Sequence, residues 1–225
     1  MWAVVPLKSP DQAKSRLAAV LNAAQRRHLF FALAEQVIRA LQATRGIQAV
    51  AVVTSNAEVA AFARALDAQL IHEPDEFGTS SAFTSAVHHL RGFKLERLLM
   101  IAGDLPLVSP ATLEQLAADA GTTAGVVVVP DRYRAGTNAL LCTPPDAIAP
   151  HFGGDSFQRH LAAAEAAGVR ARVMELEELA LDLDVPEDLD YLRSRCSARA
   201  SLLLKSATGA DATRHAVCSV AGVSR

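Results

Sequence analysis

Three cations that closely follow the first predicted strand are the first candidates for chemistry. Lys8, Lys14 and Arg16 lie within a nine-residue span, just after an apolar run predicted as a strand from Trp2 to Pro6. Ligands of open α/β sheets bind beyond the carboxyl ends of the strands. Arginine binds phosphate through paired hydrogen bonds, and lysine binds it as a point charge. The segment is therefore either a phosphate site or a solvated basic loop, and it has neither P-loop nor GxGxxG spacing.

A lone carboxylate ends another apolar run. Asp104 follows Met100-Ile101-Ala102-Gly103, and an unpaired carboxylate at the end of a buried strand is costly to desolvate. A hard cation compensates that cost, and aspartate oxygens suit magnesium. The structural alternative is that Asp104 only caps the turn before Pro106.

Two further carboxylates stand near the end of the predicted domain. Asp182 and Asp184 alternate along a strand predicted near Leu179 to Leu183, so they share one face of it. Either of them could complete a metal site with Asp104. Asp184 is also placed to cap a helix that opens at Pro186, and the two roles can coexist.

Two later loops carry weaker signals for anion binding. Residues 132–138 read Arg-Tyr-Arg-Ala-Gly-Thr-Asn, and residues 151–157 lead into a helix whose N-terminal amides could receive an anion. A glycine turn before a capped helix is also a common loop. The seven histidines show no metal-ligand spacing, and we expect a core or surface role for most of them. No motif for a nucleophilic serine or cysteine is present.

The elements that must position these residues follow from hydrophobic periodicity. Short β-branched runs alternate with segments of helical spacing, which predicts an α/β domain with mostly parallel strands and helices on both faces. The predicted strands are 2–6, 48–54, 69–72, 97–102, 125–129, 137–142, 172–175 and 179–183. The predicted helices are 22–42, 57–66, 80–90, 110–118, 156–167 and 186–196, with Asn56 and Ser109 as N-caps.

Composition limits the classes of function. The 225 residues include 22 Lys+Arg and 24 Asp+Glu, for a net charge of -2, and 51% are hydrophobic. Mixed charge argues against a nucleic-acid partner, and no apolar run approaches the length that a membrane span needs. We expect one domain over 1–196 and a flexible tail over 197–225. The odd, scattered cysteines and the lack of an export signal predict a cytoplasmic protein. The oligomeric state stays open, and a homodimer is one option.

Five groups of residues together resemble one family. They occur in this order: Pro6-Leu7-Lys8 with Ala13-Lys14-Ser15-Arg16-Leu17; Ala102-Gly103-Asp104-Leu105-Pro106-Leu107; Gly136-Thr137-Asn138-Ala139-Leu140; Phe152-Gly153 with Ser156-Phe157; and Leu183-Asp184-Val185-Pro186-Glu187-Asp188-Leu189. This order resembles the 2-phospho-L-lactate guanylyltransferase family of coenzyme F(420) biosynthesis, over about residues 1 to 195. At residues 78–82 the chain reads Gly-Thr-Ser-Ser-Ala, where a Gly-Leu-Asn-x-Ala type of element is expected.

The resemblance implies a Rossmann-like, GT-A-like nucleotidyltransferase that joins GMP from GTP to the phosphate of a small C3 acid. The acid is 2-phospholactate, phosphoenolpyruvate or 3-phosphoglycerate, and magnesium is the implied cofactor. The implied residues fall into four groups: catalytic Lys8, Lys14, Arg16 and Asp104; nucleotide-binding Pro6, Lys8, Lys14, Arg16 and Gly103; acceptor-binding Thr137, Gly153 and Ser156; metal-binding Asp104, Asp184 and Asp182.

Two alternatives to this function stay open. One is another nucleotidyltransferase of the same fold, although residues 6–10 lack the glycine-rich loop that such families commonly use. The other is a non-catalytic nucleotide-binding module, which has no need for a second metal carboxylate.

Overall fold

The computed structural model describes residues 1–72, 78–119, 123–196, 198 and 202–203. Seven strands lie within these residues: β1 (Trp2–Pro6), β2 (Ala49–Thr54), β3 (Gln69–His72), β4 (Leu98–Ile101), β5 (Gly125–Pro130), β6 (Thr137–Thr143) and β7 (Ala171–Val173). They form one sheet in the order β3-β2-β1-β4-β6-β5-β7. β6 is antiparallel to β4 and β5, whereas every other pair of neighbours is parallel. The predicted α/β fold with a mostly parallel sheet is confirmed.

Helices cover both faces of this sheet. They are α1 (Ala23–Ala43), α2 (Ala57–Ala65), α3 (Thr79–Leu90), α4 (Pro110–Asp119), α5 (Ser156–Ala166), α6 (Glu177–Ala180) and α7 (Pro186–Arg195). Two short 3-10 helices are Ser15–Ala19 and Arg91–Phe93. Among the described residues, no helix is long and apolar enough to cross a membrane.

Two hydrophobic clusters fill the space between the sheet and the helices. On one face, Val5 and Val52 pack with residues of α1, α2 and α4. On the other face, Val4 packs with Phe83 of α3 and Phe157 of α5. Because both faces are covered, the central strands are apolar almost throughout, as buried parallel strands are.

A third cluster joins the segment after β1 to the end of the domain. Leu17 from the first 3-10 helix is fully buried against Leu33 of α1, Leu183 and Leu189 of α7. This packing holds the two segments that carry Lys14 and Asp184 against one helix.

Local capping explains where several helices begin. The side chain of Asn22 accepts a hydrogen bond from the Gln25 amide, and the Gln25 side chain accepts one from the Asn22 amide. The predicted caps Asn56 and Ser109 are confirmed, since each side chain accepts an amide hydrogen bond from the first turn of its helix.

One predicted element is wrong, and one prediction stays largely outside the described residues. The strand expected near Leu179 to Leu183 does not form, because residues 177–180 make the short helix α6 and no neighbouring strand pairs with 181–184 among the described residues. The predicted tail over 197–225 is described only at residues 198, 202 and 203. Of these, Leu203 is buried in the third cluster.

Candidate active site

The centre of the candidate site is a buried ammonium group shared by two carboxylates. Lys14 Nζ donates a hydrogen bond to Asp104 and another, 2.9 Å long, to Asp184 Oδ1. The Lys14 side chain is only 5% exposed, whereas the two carboxylates reach the surface. β1 and β4 are parallel neighbours, so the segments that leave their carboxyl ends meet there. Residues separated by 90 and 170 positions in the chain are thereby joined.

The backbone after β1 aims Lys14 inward. Lys14 has φ 56° and ψ 31°, in the left-handed region that a non-glycine residue rarely adopts. The next residues form the 3-10 helix that buries Leu17. Strained backbone of this kind is found preferentially at functional sites. The turn therefore sends Lys14 toward the carboxylates while Leu17 anchors the segment in the core.

Asp184 is presented by a loop and not by a strand, which corrects the expected shared face with Asp182. The Leu183 amide donates to the Asp104 carbonyl (3.3 Å), so this loop lies beside the end of β4. The Asp182 carboxylate accepts from Asn138 Nδ2 at 3.4 Å, while Asp184 contacts Lys14. The two carboxylates therefore have different partners.

The Asp184 side chain does not cap α7 as the capping alternative proposed, because Val185 is the N-cap and Asp188, in the first turn, binds the two amides that precede the helix. Asp188 Oδ2 accepts from the Asp184 and Val185 amides, both at 2.8 Å. Its other oxygen accepts from the Arg132 guanidinium at 2.7 Å. The Arg132 guanidinium also lies over the rings of Tyr133 and Tyr191, at 4.5 and 4.9 Å from their centroids. Asp188 thus fixes the backbone of Asp184 and leaves the Asp184 carboxylate to Lys14.

The electrostatics of the site follow from burial and like charge. Burial disfavours the ammonium form of Lys14, but the carboxylates of Asp104 and Asp184 outweigh burial and raise its pKa. Burial, together with the nearby Asp104 and Asp184, raises the pKa of Asp182 to about 6. Asp104 and Asp184 thus act on both neighbours, keeping Lys14 charged and disfavouring the ionised form of Asp182.

Two carboxylates of the site, Asp104 and Asp184, are placed to share one cation. No group of three or more His, Cys, Asp or Glu side chains is arranged to hold a metal ion within the described ranges. Asp104 and Asp184 nevertheless direct oxygens toward one shared cation, the Lys14 ammonium. Magnesium is commonly held by one or two carboxylates together with substrate phosphates.

The remaining residues predicted to bind nucleotide lie at the end of β1, in the segment that follows it, and just after β4. Lys8 and Arg16 are exposed, and Pro6 is half-buried at the end of β1. Gly103 lies against Leu7: a Cβ there would come within 2.5 Å of Leu7 Cδ2. A side chain at position 103 would therefore force Leu7 to shift.

The residues predicted to bind the acceptor lie along β6 and the start of α5. Thr137, at the first position of β6, is hydrogen-bonded through Oγ1 to His160 Nδ1 of α5 (3.0 Å). Ser156 precedes His160 by four residues, so both lie on one face of α5. The Ser156 amide donates to the Gly153 carbonyl (3.1 Å), and Gly153 has φ 111°. Ser80 Oγ donates to the carbonyl of Phe152 (3.0 Å), so the start of α3 supports the same loop.

The two groups of residues are joined through the sheet. β4 and β6 are neighbours, and the Ala102 amide donates to the Asn138 carbonyl at 2.8 Å. The Asn138 side chain then reaches the Leu179 carbonyl (2.9 Å) and Asp182. The structure thus links Thr137 of the acceptor group to the carboxylates through the next residue along β6.

Sequence reasoning missed four supporting residues: Asn138, His160, Asp188 and Arg132. Asn138 and Asp188 lie in motifs that carry the family resemblance, but the resemblance implies no role for either residue. For His160, the available signal was its spacing of four residues from Ser156 on a predicted helix. Arg132 lies in the 132–138 segment, whose cations indicated anion binding, but nothing in the local sequence indicated its pairing with Asp188, 56 residues away.

The fold matches solved nucleotidyltransferase structures. A proposed nucleotide-diphospho-sugar transferase from Desulfovibrio desulfuricans G20 aligns with a TM-score of 0.71 and 15% identity, covering 91% of this chain and 92% of that one. A nucleotidyl transferase from Methanothermobacter thermautotroptrophicus aligns with a TM-score of 0.60 and 20% identity, covering 86% and 95%. At these identities the likeness shows the fold, which is a nucleotidyltransferase-like α/β fold.

Sequence relatives define the family. The family model described as "Guanylyl transferase CofC like" matches residues 1–201. A phosphoenolpyruvate guanylyltransferase of Conexibacter woesei is 40% identical over 199 residues, 88% of this chain and 89% of that protein. A phosphoenolpyruvate guanylyltransferase of Rubrobacter xylanophilus is 40% identical over 194 residues, 86% of this chain and 94% of that protein. The chain belongs to the CofC-like guanylyltransferase family, and the resemblance inferred from its motifs is confirmed.

Proposed function

We propose that this protein transfers GMP from GTP to the phosphate of phosphoenolpyruvate, releasing pyrophosphate, as a step of coenzyme F(420) biosynthesis. The observation that carries the proposal is the Lys14 ammonium buried between Asp104 and Asp184 at the carboxyl ends of β1 and β4. Among the three C3 acids, phosphoenolpyruvate is favoured because the relatives at 40% identity carry that name.

The reaction needs charge compensation more than proton transfer. A phosphate oxygen of the acid attacks the α-phosphorus of GTP, a new P–O bond forms, and the bond to the β-phosphate breaks with its electron pair leaving on pyrophosphate. The attacking oxygen is already ionised, so no general base and no covalent enzyme intermediate are required. Two anions must be brought together and their charge offset. The residues of the site are suited to that task.

We assign the triphosphate to the loop that follows β1. Lys8, Lys14 and Arg16 supply positive charge, and the exposure of Lys8 and Arg16 leaves them accessible to a ligand. Pro6, at the end of β1, and Gly103, just after β4, are assigned to the same nucleotide site. Lys14 is held in place before the substrate arrives, and a positioned charge stabilises the transition state without reorganisation.

We propose magnesium as the cofactor and Asp104 and Asp184 as its protein ligands. The fit rests on their oxygens, which are hard donors and already share one cation. Asp182 stands beside them as a third carboxylate, and its raised pKa of about 6 means that it ionises less readily than an ordinary aspartate. When bound, magnesium would offset the negative charge of the triphosphate and orient it.

We assign the acceptor acid to Thr137, Gly153 and Ser156. The N-terminus of α5 adds backbone amides and a favourable dipole for an anion. The hydroxyls of Thr137 and Ser156 belong to buried residues at the same end of α5. We also propose a cytoplasmic location, which the free thiols of Cys142 and Cys196 support.

Pyrophosphate release tests the proposal directly. Purified protein is supplied with GTP and magnesium in parallel wells that contain phosphoenolpyruvate, 2-phospholactate or 3-phosphoglycerate, with ATP and CTP as nucleotide controls and a chelator as the metal control. We expect release with GTP and phosphoenolpyruvate. Release with another acid would correct the acceptor. Release with ATP or CTP in place of GTP would show a different nucleotidyltransferase, and silence in every well would leave a binding module.

A further inference from the structure

His160 is a fully buried histidine whose two ring nitrogens both have partners. It lies on α5 with no exposed surface. Nδ1 is 3.0 Å from Thr137 Oγ1, and Nε2 is 2.8 Å from the backbone nitrogen of His151. The imidazole therefore connects the start of β6 with the loop that leads into α5.

These two contacts determine which nitrogen carries the proton. A backbone N–H can only donate, so Nε2 must present its lone pair to His151. In a neutral imidazole the hydrogen then resides on Nδ1, which donates it to Thr137 Oγ1. Burial, with His151 and Arg159 nearby, lowers the pKa of His160 to about 4, so the ring is neutral at physiological pH.

This tautomer determines the role of the Thr137 hydroxyl. A threonine hydroxyl has one hydrogen to donate and two lone pairs to accept with. Because Oγ1 already accepts from His160, its own hydrogen is directed elsewhere. A hydroxyl held in this way favours a ligand oxygen that can accept, such as a carboxylate or phosphate oxygen.

The position of His160 makes it specific to the proposed acceptor site. Ser156 lies one turn earlier on the same face of α5, and the Phe152 ring packs edge-on against His160 with 4.9 Å between centroids. Gly153 follows Phe152 directly. One side chain thus touches the elements that carry all three proposed acceptor contacts.

We propose that His160 is a positioning residue that orients the Thr137 hydroxyl as a hydrogen-bond donor to an anionic oxygen of the acceptor acid. The inference rests on the proposed function, because Thr137 contacts the acid only if the acid binds at this end of α5. His160 itself does not touch the reacting atoms. It strengthens binding of the acid by aligning the Thr137 hydroxyl, and it does not affect binding of the nucleotide.

Two substitutions separate the two hydrogen bonds of the ring. His160→Asn keeps an N–H near the Nδ1 position and can still donate to Thr137, whereas His160→Gln places its amide near Nε2 and loses that bond. We expect His160→Gln to raise the KM for the acid about tenfold, the equivalent of one hydrogen bond. The KM for GTP should stay unchanged, and His160→Asn should remain within about threefold of the wild type for both substrates.

The control and the coupling test use other residues. His89→Gln makes the same chemical change on the exposed side of α3 and should alter neither KM. In a Thr137→Val background, His160→Gln should have no further effect on the KM for the acid, because the hydroxyl that it orients is gone. Equal effects of the Asn and Gln variants, a matching rise in the KM for GTP, or additivity with Thr137→Val would each overturn the proposal.

A measurement on the wild-type protein keeps the test independent of variant folding. Nitrogen-15 NMR of the histidine rings should show His160 protonated at Nδ1 and bare at Nε2 at neutral pH. A ring protonated at Nε2 would overturn the proposal even if both variants failed to fold. Lack of turnover by the wild type with every acid would instead overturn the proposed function. The NMR spectrum does not depend on turnover, so the two failures are distinguishable.

Discussion

At the level of single side chains, the site is organised around a buried charge with two partners. The Lys14 side chain is almost inaccessible to solvent, yet Asp104 and Asp184 stabilise its charged ammonium form. Removing one partner of a buried charge is costly, because the remaining charge loses its compensation. The three residues therefore act as a unit, and we expect the loss of any one of them to disturb the charges of the other two.

Asp104→Asn tests this unit with little change in side-chain volume. We expect pyrophosphate release from GTP, with magnesium and the acid present, to fall by at least about 100-fold, because the proposed magnesium and the Lys14 ammonium, which offset the charge of the phosphates, lose one of their two carboxylate partners. Asp146→Asn is the matched control, since Asp146 is an exposed aspartate that lies 3.9 Å from Arg91 and has no assigned role in the site. Turnover near the wild-type rate in Asp104→Asn would remove Asp104 from the mechanism.

His160 makes stability depend on pH in a defined direction. Its pKa is about 4 in the folded protein and lies near 6.5 in the unfolded chain, so the unfolded state binds more protons between these values. The neutral ring contributes stability that is fully present above pH 6.5 and is lost as pH falls toward 4. Relative to His160→Asn, the wild type should lose about 2 to 3 kcal/mol of unfolding free energy between pH 7 and 4.5.

Urea unfolding of the two proteins at both pH values measures this difference. Other titrating groups are common to wild type and variant, so they cancel in the comparison. An identical pH dependence in the two proteins would mean that His160 is not held neutral by the fold.

At the level of helices and strands, Asp188 joins α7 to the turn between β5 and β6. It accepts hydrogen bonds from the Asp184 and Val185 amides and from Arg132, and it is buried. Asp188→Ala leaves a guanidinium and two amides without their partner, and should cost about 3 kcal/mol of unfolding free energy. Activity should fall as well, since the backbone of Asp184 is released.

An exposed aspartate on the same helix provides the comparison for Asp188. Asp190 pairs with Arg193 and is well exposed. Asp190→Ala should change the unfolding free energy by no more than about 0.5 kcal/mol in urea titrations. A similar loss in both variants would mean that the contacts of Asp188 have no special weight.

The close packing of Gly103, which follows β4, against Leu7, which follows β1, can be tested as well. In Gly103→Ala the new methyl group would meet Leu7 Cδ2 at 2.5 Å and Val5 Cγ1 at 3.1 Å. Overpacking of this kind costs about 1 to 3 kcal/mol. Combined with Leu7→Ala, the cost of Gly103→Ala should largely disappear, because the clashing atoms are removed.

Gly92→Ala controls for the loss of glycine itself, because a Cβ at Gly92 would have no neighbour within 4 Å. Thermal unfolding of the single and double variants measures the coupling. Additive losses would show that Leu7 is not what excludes a side chain at position 103.

For the molecule as a whole, the expected domain boundary after residue 196 leaves out Leu203, which packs into the third hydrophobic cluster. Leu203 is 7% exposed and joins the cluster that contains Leu17 and Leu192, whereas its neighbour Leu202 is 72% exposed. We predict that Leu203→Ala costs about 2 kcal/mol or more and that Leu202→Ala costs little. A chain that ends after Cys196 should unfold at a lower temperature than one that ends after residue 205. Equal unfolding temperatures for the two truncated chains would show that Leu203 contributes nothing.

Local pattern was sufficient for most of the elements and for the class of fold. The recurrence of Leu29, Leu33, Val37 and Leu41 reports a helix, because residues four apart lie on one face. Periodicity failed for residues 179–183, where alternation predicted a strand. Leu179, Leu181 and Leu183 are all buried, as that alternation suggests, but burial alone does not make a strand. A strand also requires a neighbouring strand, and no such partner pairs with 181–184 in the described parts of the chain.

Sequence also placed Lys14, Asp104 and Asp184 among the chemical candidates, because cations and carboxylates after apolar strands are recognisable one segment at a time. Only the folded chain shows that Lys14 lies between the two aspartates, that Asp188 binds the two amides that precede α7, and that His160 is hydrogen-bonded to Thr137. These relations join residues 4 to 170 positions apart. Chain topology brings such residues together, and the pattern around any one of them does not encode the pairing.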